Sequence, residues 1–198
     1  MGITINWRLA QERQYIKATL DDAEAYAKKI KDEAGILGVE VEVRRLSEQK
    51  LFVEVGGCET LGLDFKTMEE WEQEAGNGWE YENETLKDLR SHDTVGEHYQ
   101  KYPGQKLVWC SNFCKTQFAG NVVEHKYVAD ILKMVAVRCR VAVVRDEGDY
   151  YHSGRLEDAS GAIEEVGGMI GGLVGQLQGL GYEGIKGGET KVKKVKRA

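Results

Sequence analysis

The stretch VAVVRDEGDYYHSG, Val141 to Gly154, sets three carboxylates and an imidazole within seven residues, directly after a β-branched run. Asp146, Glu147, Asp149 and His152 are the raw material for general acid–base catalysis, or for hard oxygen ligation of a divalent cation. If Cys139 to Val144 is a strand, these groups lie just past its C-terminal end. Open sheets often bind ligands there, and Tyr150 and Tyr151 could line a pocket. The spacing matches neither an EF-hand loop nor an HExxH helix. A polar turn built on Asp and Gly explains the same letters, so the segment reads either as a site or as a strand-to-helix turn.

A second constellation lies in FCKTQFAGNVVEH. Lys115, Thr116 and Gln117 precede a helix that Asn121 would cap, and the free N–H groups of its first turn would favour an anion. Glu124 in that same turn opposes an anion, and the GxxxxGK[ST] loop is absent. His125 could act as an acid or base, and Cys114 as a nucleophile beside it, if the fold brought them together. A third group, His92, Asp93, Glu97 and His98, has the donor types of a zinc or manganese site, but a spacing of six aims both imidazoles at one point in no regular element. No motif names a cofactor.

Four cysteines, Cys58, Cys110, Cys114 and Cys139, suggest no disulfide framework and fit reduced thiols in a cytosol. Cys110 and Cys114 in KLVWCSNFC fall on one face of a strand, about 13 Å apart at ~3.3 Å per residue, too far to share a metal. They read as ordinary buried thiols, and no metal site is assigned.

Charge is unevenly spread over a chain of formal net charge -6. Ten acids against two lysines between Glu59 and Asp88 exclude a nucleic-acid surface there. Lys186 to Ala198 carries six cations against one acid, a basic flexible tail able to contact RNA or another polyanion. The alternation in KVKKVK also allows an added edge strand. The first residues hold no apolar run of leader length, and no charge-free stretch is long and apolar enough to span a bilayer, so a cytoplasmic protein without membrane contact is expected.

These side chains need elements to hold them. Val39, Val41, Val43, then Leu51, Val53, Val55, then Leu61, Leu63, Phe65 alternate with charged residues, which predicts a three-strand antiparallel meander over 39–65 with one apolar face. Asp21 and Glu24 resemble a capping box opening a helix over 21–34, with Ala23, Ala27, Ile30 and Ala34 as its stripe and Gly35 as its end. Further strands are expected near 107–118 and 139–145, with a helix over 122–138 carrying Val128, Ile131, Leu132 and Val135 inward. That strand, helix and strand form either a βαβ crossover or two strands placed apart in one sheet.

The last element is a helix over 156–179, marked by Leu156, Ala159, Ile163, Val166, Ile170, Leu173 and Leu177. Seven glycines interrupt it, Gly161, Gly167, Gly168, Gly171, Gly172, Gly175 and Gly179. At ~1 kcal/mol each against alanine they cost about 7 kcal/mol, as much as a domain's net stability. Close approach of another backbone, this protein's own sheet or a second copy's helix, is the usual compensation for small-xxx-small spacing. A helix broken partway is the competing form.

The whole reads as a two-layer α+β sandwich: an antiparallel or mixed sheet of about six or seven strands, with three principal helices on one face. One domain over 1–185 carries an irregular acidic and aromatic insertion at 66–105, and the tail follows over 186–198. The leading functional expectation is a non-catalytic binding or assembly protein, with a homodimer through the glycine-rich helix or a small-molecule ligand as its partner. The alternative is a small hydrolase-like enzyme, metal-assisted or not, at Asp146, Glu147, Asp149 and His152. The third is an RNA-associated accessory protein acting through the tail.

Overall fold

The alternation of Ile5, Trp7 and Leu9 with polar neighbours makes Thr4–Glu12 a strand, β1, and this strand organises the molecule. In a computed structural model of the chain, which describes residues 3–75, 107–116, 122–179, 182–183 and 193–194, the elements that follow are α1 (Arg13–Ile36), β2 (Val41–Ser47), β3 (Lys50–Val55), β4 (Leu61–Asp64), α2 (Met68–Ala75), β5 (Leu107–Lys115), α3 (Val122–Ala136), β6 (Val141–Asp146), α4 (Tyr150–Ser153), α5 (Leu156–Gly179), β7 (Tyr182–Glu183) and β8 (Lys193–Lys194). The fold is α+β.

The expected meander is present as the antiparallel sheet β2-β3-β4, with Val41 opposite Val55 and Leu51 opposite Leu63. A second antiparallel sheet has the order β5-β1-β6. The two meet where Lys66 and Trp109 exchange backbone hydrogen bonds of 2.9 and 2.7 Å, and where Glu59 N–H donates to the Lys115 carbonyl at 2.9 Å. Because β1 pairs antiparallel with both β5 and β6, those two strands run parallel to each other with β1 between them. They are therefore strands placed apart and bridged by α3, and not adjacent strands of a βαβ unit.

The helix expected over 21–34 begins eight residues earlier, at Arg13. Asp21 and Glu24 do not cap it: both lie inside, ion-paired at i,i+4 spacing to Lys17 and Lys28. Ile16, Leu20, Ala23, Ala27, Ile30 and Ala34, spaced by four and three, form its buried stripe. The main core joins this stripe to Val128, Ile131, Leu132 and Val135 of α3 and to Ile5, Trp7, Leu9, Leu51, Val53, Leu63 and Val108 of the sheets. Leu156 and Ala159 of α5 reach the same core, so α1, α3 and α5 share one face. Helix α2 was not expected. It covers the reverse face at one end, packing Trp71 and Met68 on Ala10, Leu107, Trp109 and Val141. The glycine-rich segment is one continuous helix, about 36 Å long at 1.5 Å per residue.

Candidate functional site

Strands β5 and β6 end side by side across β1, and the first turn of α3 lies over those ends. There Thr116, His125 and Asp146 form a chain of polar contacts inside the protein. Thr116 Oγ1 is 2.7 Å from His125 Nδ1, and His125 Nε2 is 3.2 Å from Asp146 Oδ2. The Ile3 carbonyl lies 3.4 Å from the Thr116 hydroxyl and already accepts the Thr116 N–H at 2.9 Å. The Asp146 carboxylate can only accept, so His125 Nε2 carries a proton and donates it to Oδ2. Asp146 also accepts the N–H of Gly148 through Oδ1 and of Tyr151 through Oδ2, both at 2.8 Å. Burial alone would raise its carboxyl pKa. The hydrogen bond and charge of His125, with the two amide donors, outweigh burial and hold it below the ordinary carboxylate value.

Hydroxyl, imidazole and carboxylate stand in the order of a nucleophile, its base and the group that orients the base. Access decides against that chemistry. Thr116, His125 and the Asp146 side chain are each 0% exposed, and an attacking oxygen has to be reachable by its substrate. Gly148 seals one side: a Cβ there would lie 2.9 Å from His125 Cε1 and Nε2. What the chain does is fasten the end of β5, the first turn of α3 and the end of β6 to one another. Neighbouring Glu124 fastens the same turn to the other sheet, its Oε2 accepting the Gly57 N–H at 2.8 Å. Gly56 makes room for that carboxylate: its φ is +49°, and a Cβ would fall 2.3 Å from Glu124 Cδ.

Of the four residues read as a site, Asp146 alone turns inward, and its partner is His125 rather than His152. Glu147 accepts the Thr4 N–H at 2.8 Å. Asp149 is exposed with a left-handed backbone (φ 58°) at the start of α4. His152 is exposed; its Nε2 donates to the Val144 carbonyl at 3.1 Å and its ring stands edge-on to Tyr151. Among the described residues no three His, Cys, Asp or Glu side chains are grouped as a metal site requires.

The proposed anion ligands do not converge. Lys115 and Thr116 point to opposite faces, as successive residues of an extended chain must. Lys115 pairs with Glu59 at 3.6 Å, Thr116 is committed to His125, and Gln117 lies outside the described residues. So does Asn121, the expected cap of α3.

Cys110 and Cys114 are buried on one face of β5, as read from the sequence, and burial pushes both thiols up to about 12. Cys114 Sγ contacts the Glu59 carbonyl at 2.9 Å, and both nitrogens of His125 are taken by other partners, so the two do not form a nucleophile and base. His92, Asp93, Glu97 and His98, and with them Trp79, Tyr81, Tyr99 and Tyr102, lie outside the described residues. In the basic tail, Lys193 and Lys194 pair with Glu183 and Tyr182 in a two-residue antiparallel ladder. Among the described residues no helix is long and apolar enough to cross a membrane.

Compared with known proteins, the chain matches no family model, no curated protein and no solved structure.

Proposed function

We propose that this chain is a non-catalytic assembly protein, and that its glycine-rich helix α5 is the element a second copy packs against. One observation carries the reading. At Gly161 and Gly168 an added Cβ would meet nothing within 4 Å, so no contact among the described residues calls for glycine there. Each glycine still costs the helix about 1 kcal/mol relative to alanine. A second backbone approaching that face would require the missing side chains and compensate for them. The hydrolase-like alternative has less support, because Asp146, the best placed of its carboxylates, is committed to a sealed contact. The RNA reading rests on tail residues that lie almost wholly outside the described ones.

The test is Gly168→Leu, read by light-scattering mass and thermal melting. The isolated chain has space for the new Cβ, and leucine is the better helix former, so the monomer is expected to be as stable as the parent or more so. If a second copy packs there, the parent is an oligomer and the variant a folded monomer. A parent that is monomeric at high micromolar concentration, or a variant that keeps the oligomer, overturns the proposal.

A further inference from the structure

Strand β6 is the open border of its sheet: β1 flanks it on one side, and β5 on the far side of β1 is tied to the meander through Lys66 and Trp109. The Thr4 carbonyl accepts the Glu147 N–H at 3.1 Å, so by the alternation of an antiparallel pair the β6 residues bonded to β1 are Arg145, Val143 and Val141. Ala142 and Val144 fall between them and turn their N–H and C=O groups outward. Among the described residues one bond is made on that side, His152 Nε2 donating to the Val144 carbonyl at 3.1 Å. The other outer strand, β2, is blunted by a bulge between Arg45 and Ser47, and the Arg45 side chain takes up the Ser47 and Glu48 carbonyls. Strand β6 keeps an unbroken register and holds neither lysine nor proline. The helix layer ends at the same border. Helix α1 packs on β2, α3 on α1 and α5 on α3, so the helices are ordered from the β2 side toward the β6 side. Ala142 pairs with Leu9, points to the helix side and is exposed.

We propose that a second copy adds to β6 as an antiparallel strand about a two-fold axis through Val143, so that one sheet runs through both copies and the two α5 helices meet on its helix side. Ala142 of each copy then exchanges N–H···O bonds with Val144 of the other. The segment is complementary to itself about that axis. Arg138 and Arg140 precede the strand and Glu147 and Asp149 follow it, and antiparallel pairing sets each cationic end beside an acidic one. Both arginines remain about half exposed beyond their ion pairs with Asp22 and Glu12. The small side chain of Ala142 leaves room at the join. His152 gives up its place on the Val144 carbonyl, and the incoming Ala142 N–H replaces the bond it made. The choice of a second copy as the occupant rests on the assembly reading above; the open edge does not.

Hydrogen exchange of the full chain, resolved by residue with NMR and read beside light-scattering mass, tests the join. In dilute monomer the Val143 and Arg145 amides are expected to be protected by β1 while those of Ala142 and Val144 exchange freely. At concentrations where the mass is that of a dimer, Ala142 and Val144 are expected to slow by at least roughly 10-fold. Ala142→Pro removes an outward N–H, which an edge strand tolerates, and Ala142→Lys places a charge at the join on a side chain that the isolated chain leaves exposed. Both variants are expected to be folded monomers. A dimer whose Ala142 and Val144 amides exchange as freely as in the monomer, or one that survives both substitutions, overturns the join; if Gly168→Leu dissociates that dimer, the α5 reading stands without it. A dimer lost in the Ala142 variants and kept in Gly168→Leu supports the join and overturns the α5 reading alone. A parent that is monomeric at high micromolar concentration overturns both.

Discussion

Replacing His125 with phenylalanine keeps a flat ring in the core and removes both of its polar contacts. The Thr116 hydroxyl loses a 2.7 Å partner and is left with the Ile3 carbonyl 3.4 Å away. Asp146 loses the 3.2 Å contact to Nε2 and keeps the amides of Gly148 and Tyr151. Removing one member of a buried pair typically costs 3–5 kcal/mol, and the two surviving amide donors place this case at the low end, about 3 kcal/mol. For a chain of this size that lowers Tm by roughly 6–12 °C. Urea unfolding of the parent, His125→Phe, Asp146→Asn and the double variant then isolates the pair: with a neutral group at 146, losing the imidazole should cost at least ~1 kcal/mol less. Acid adds a second readout. The Asp146 carboxyl is lower in the folded chain than unfolded, so its contribution is full above the unfolded carboxylate value near ~4 and disappears as pH falls through the folded one. The parent's advantage over Asp146→Asn should shrink below about pH 4. Costs that simply add, within ~0.5 kcal/mol, or a His125→Phe protein that melts like the parent, would refute the clamp.

Two further outcomes follow from the same packing. Gly56→Ala must adopt a left-handed backbone and displace the Glu124 carboxylate, costing roughly 2–5 kcal/mol in urea unfolding, and an unchanged midpoint contradicts the described turn. Cys110 and Cys114, with thiols near 12, hold only about one thiolate in ten thousand at pH 8, so a thiol reagent should label them on the timescale of unfolding. Labelling of both within seconds in the native protein would show that β5 is not buried as described.

The elements legible in the sequence were those whose pattern is local. The meander over 39–65 and the stripe of α1 follow from periods of two and of three to four. Strand β1 carries the same signal in Ile5, Trp7 and Leu9, but only three apolar residues bear it and both partner strands lie more than 90 residues on, so neither β1 nor the start of α1 at Arg13 stands out locally. Asp21 and Glu24 have capping-box spacing but sit mid-helix, because the buried stripe continues back through Leu20 to Ile16 and their carboxylates find lysines at i,i+4. Asp146 stood out as an acid at a strand end. Its partner did not, since His125 lies 21 residues away and meets it only because β1 holds β5 and β6 at a fixed separation. Glu124 reads from the sequence as a first-turn acid that opposes an anion, whereas in the fold its carboxylate accepts from Gly57, 67 residues distant. Nothing local in the sequence encodes either contact.

The position of β1 between β5 and β6 has a consequence for the chain as it is made. Leu9 needs Cys110 on one side and Ala142 on the other, so the strand emerges from the ribosome roughly a hundred residues before its first partner. At 5–20 residues per second that is a wait of about 5–20 s. Throughout it the alternating apolar segment of Ile5, Trp7 and Leu9 lacks both of its strand partners, and an unpaired apolar strand is the form most prone to pair with a neighbouring chain. Helix α1 and the meander can fold in that interval because their contacts are near in sequence, but the sheet that holds the Thr116–His125–Asp146 clamp cannot close until β6 has appeared. The sheet that holds the clamp is therefore built on a strand synthesised about a hundred residues before its partners, and a holdase that covers the segment from Thr4 to Glu12 would act during that interval.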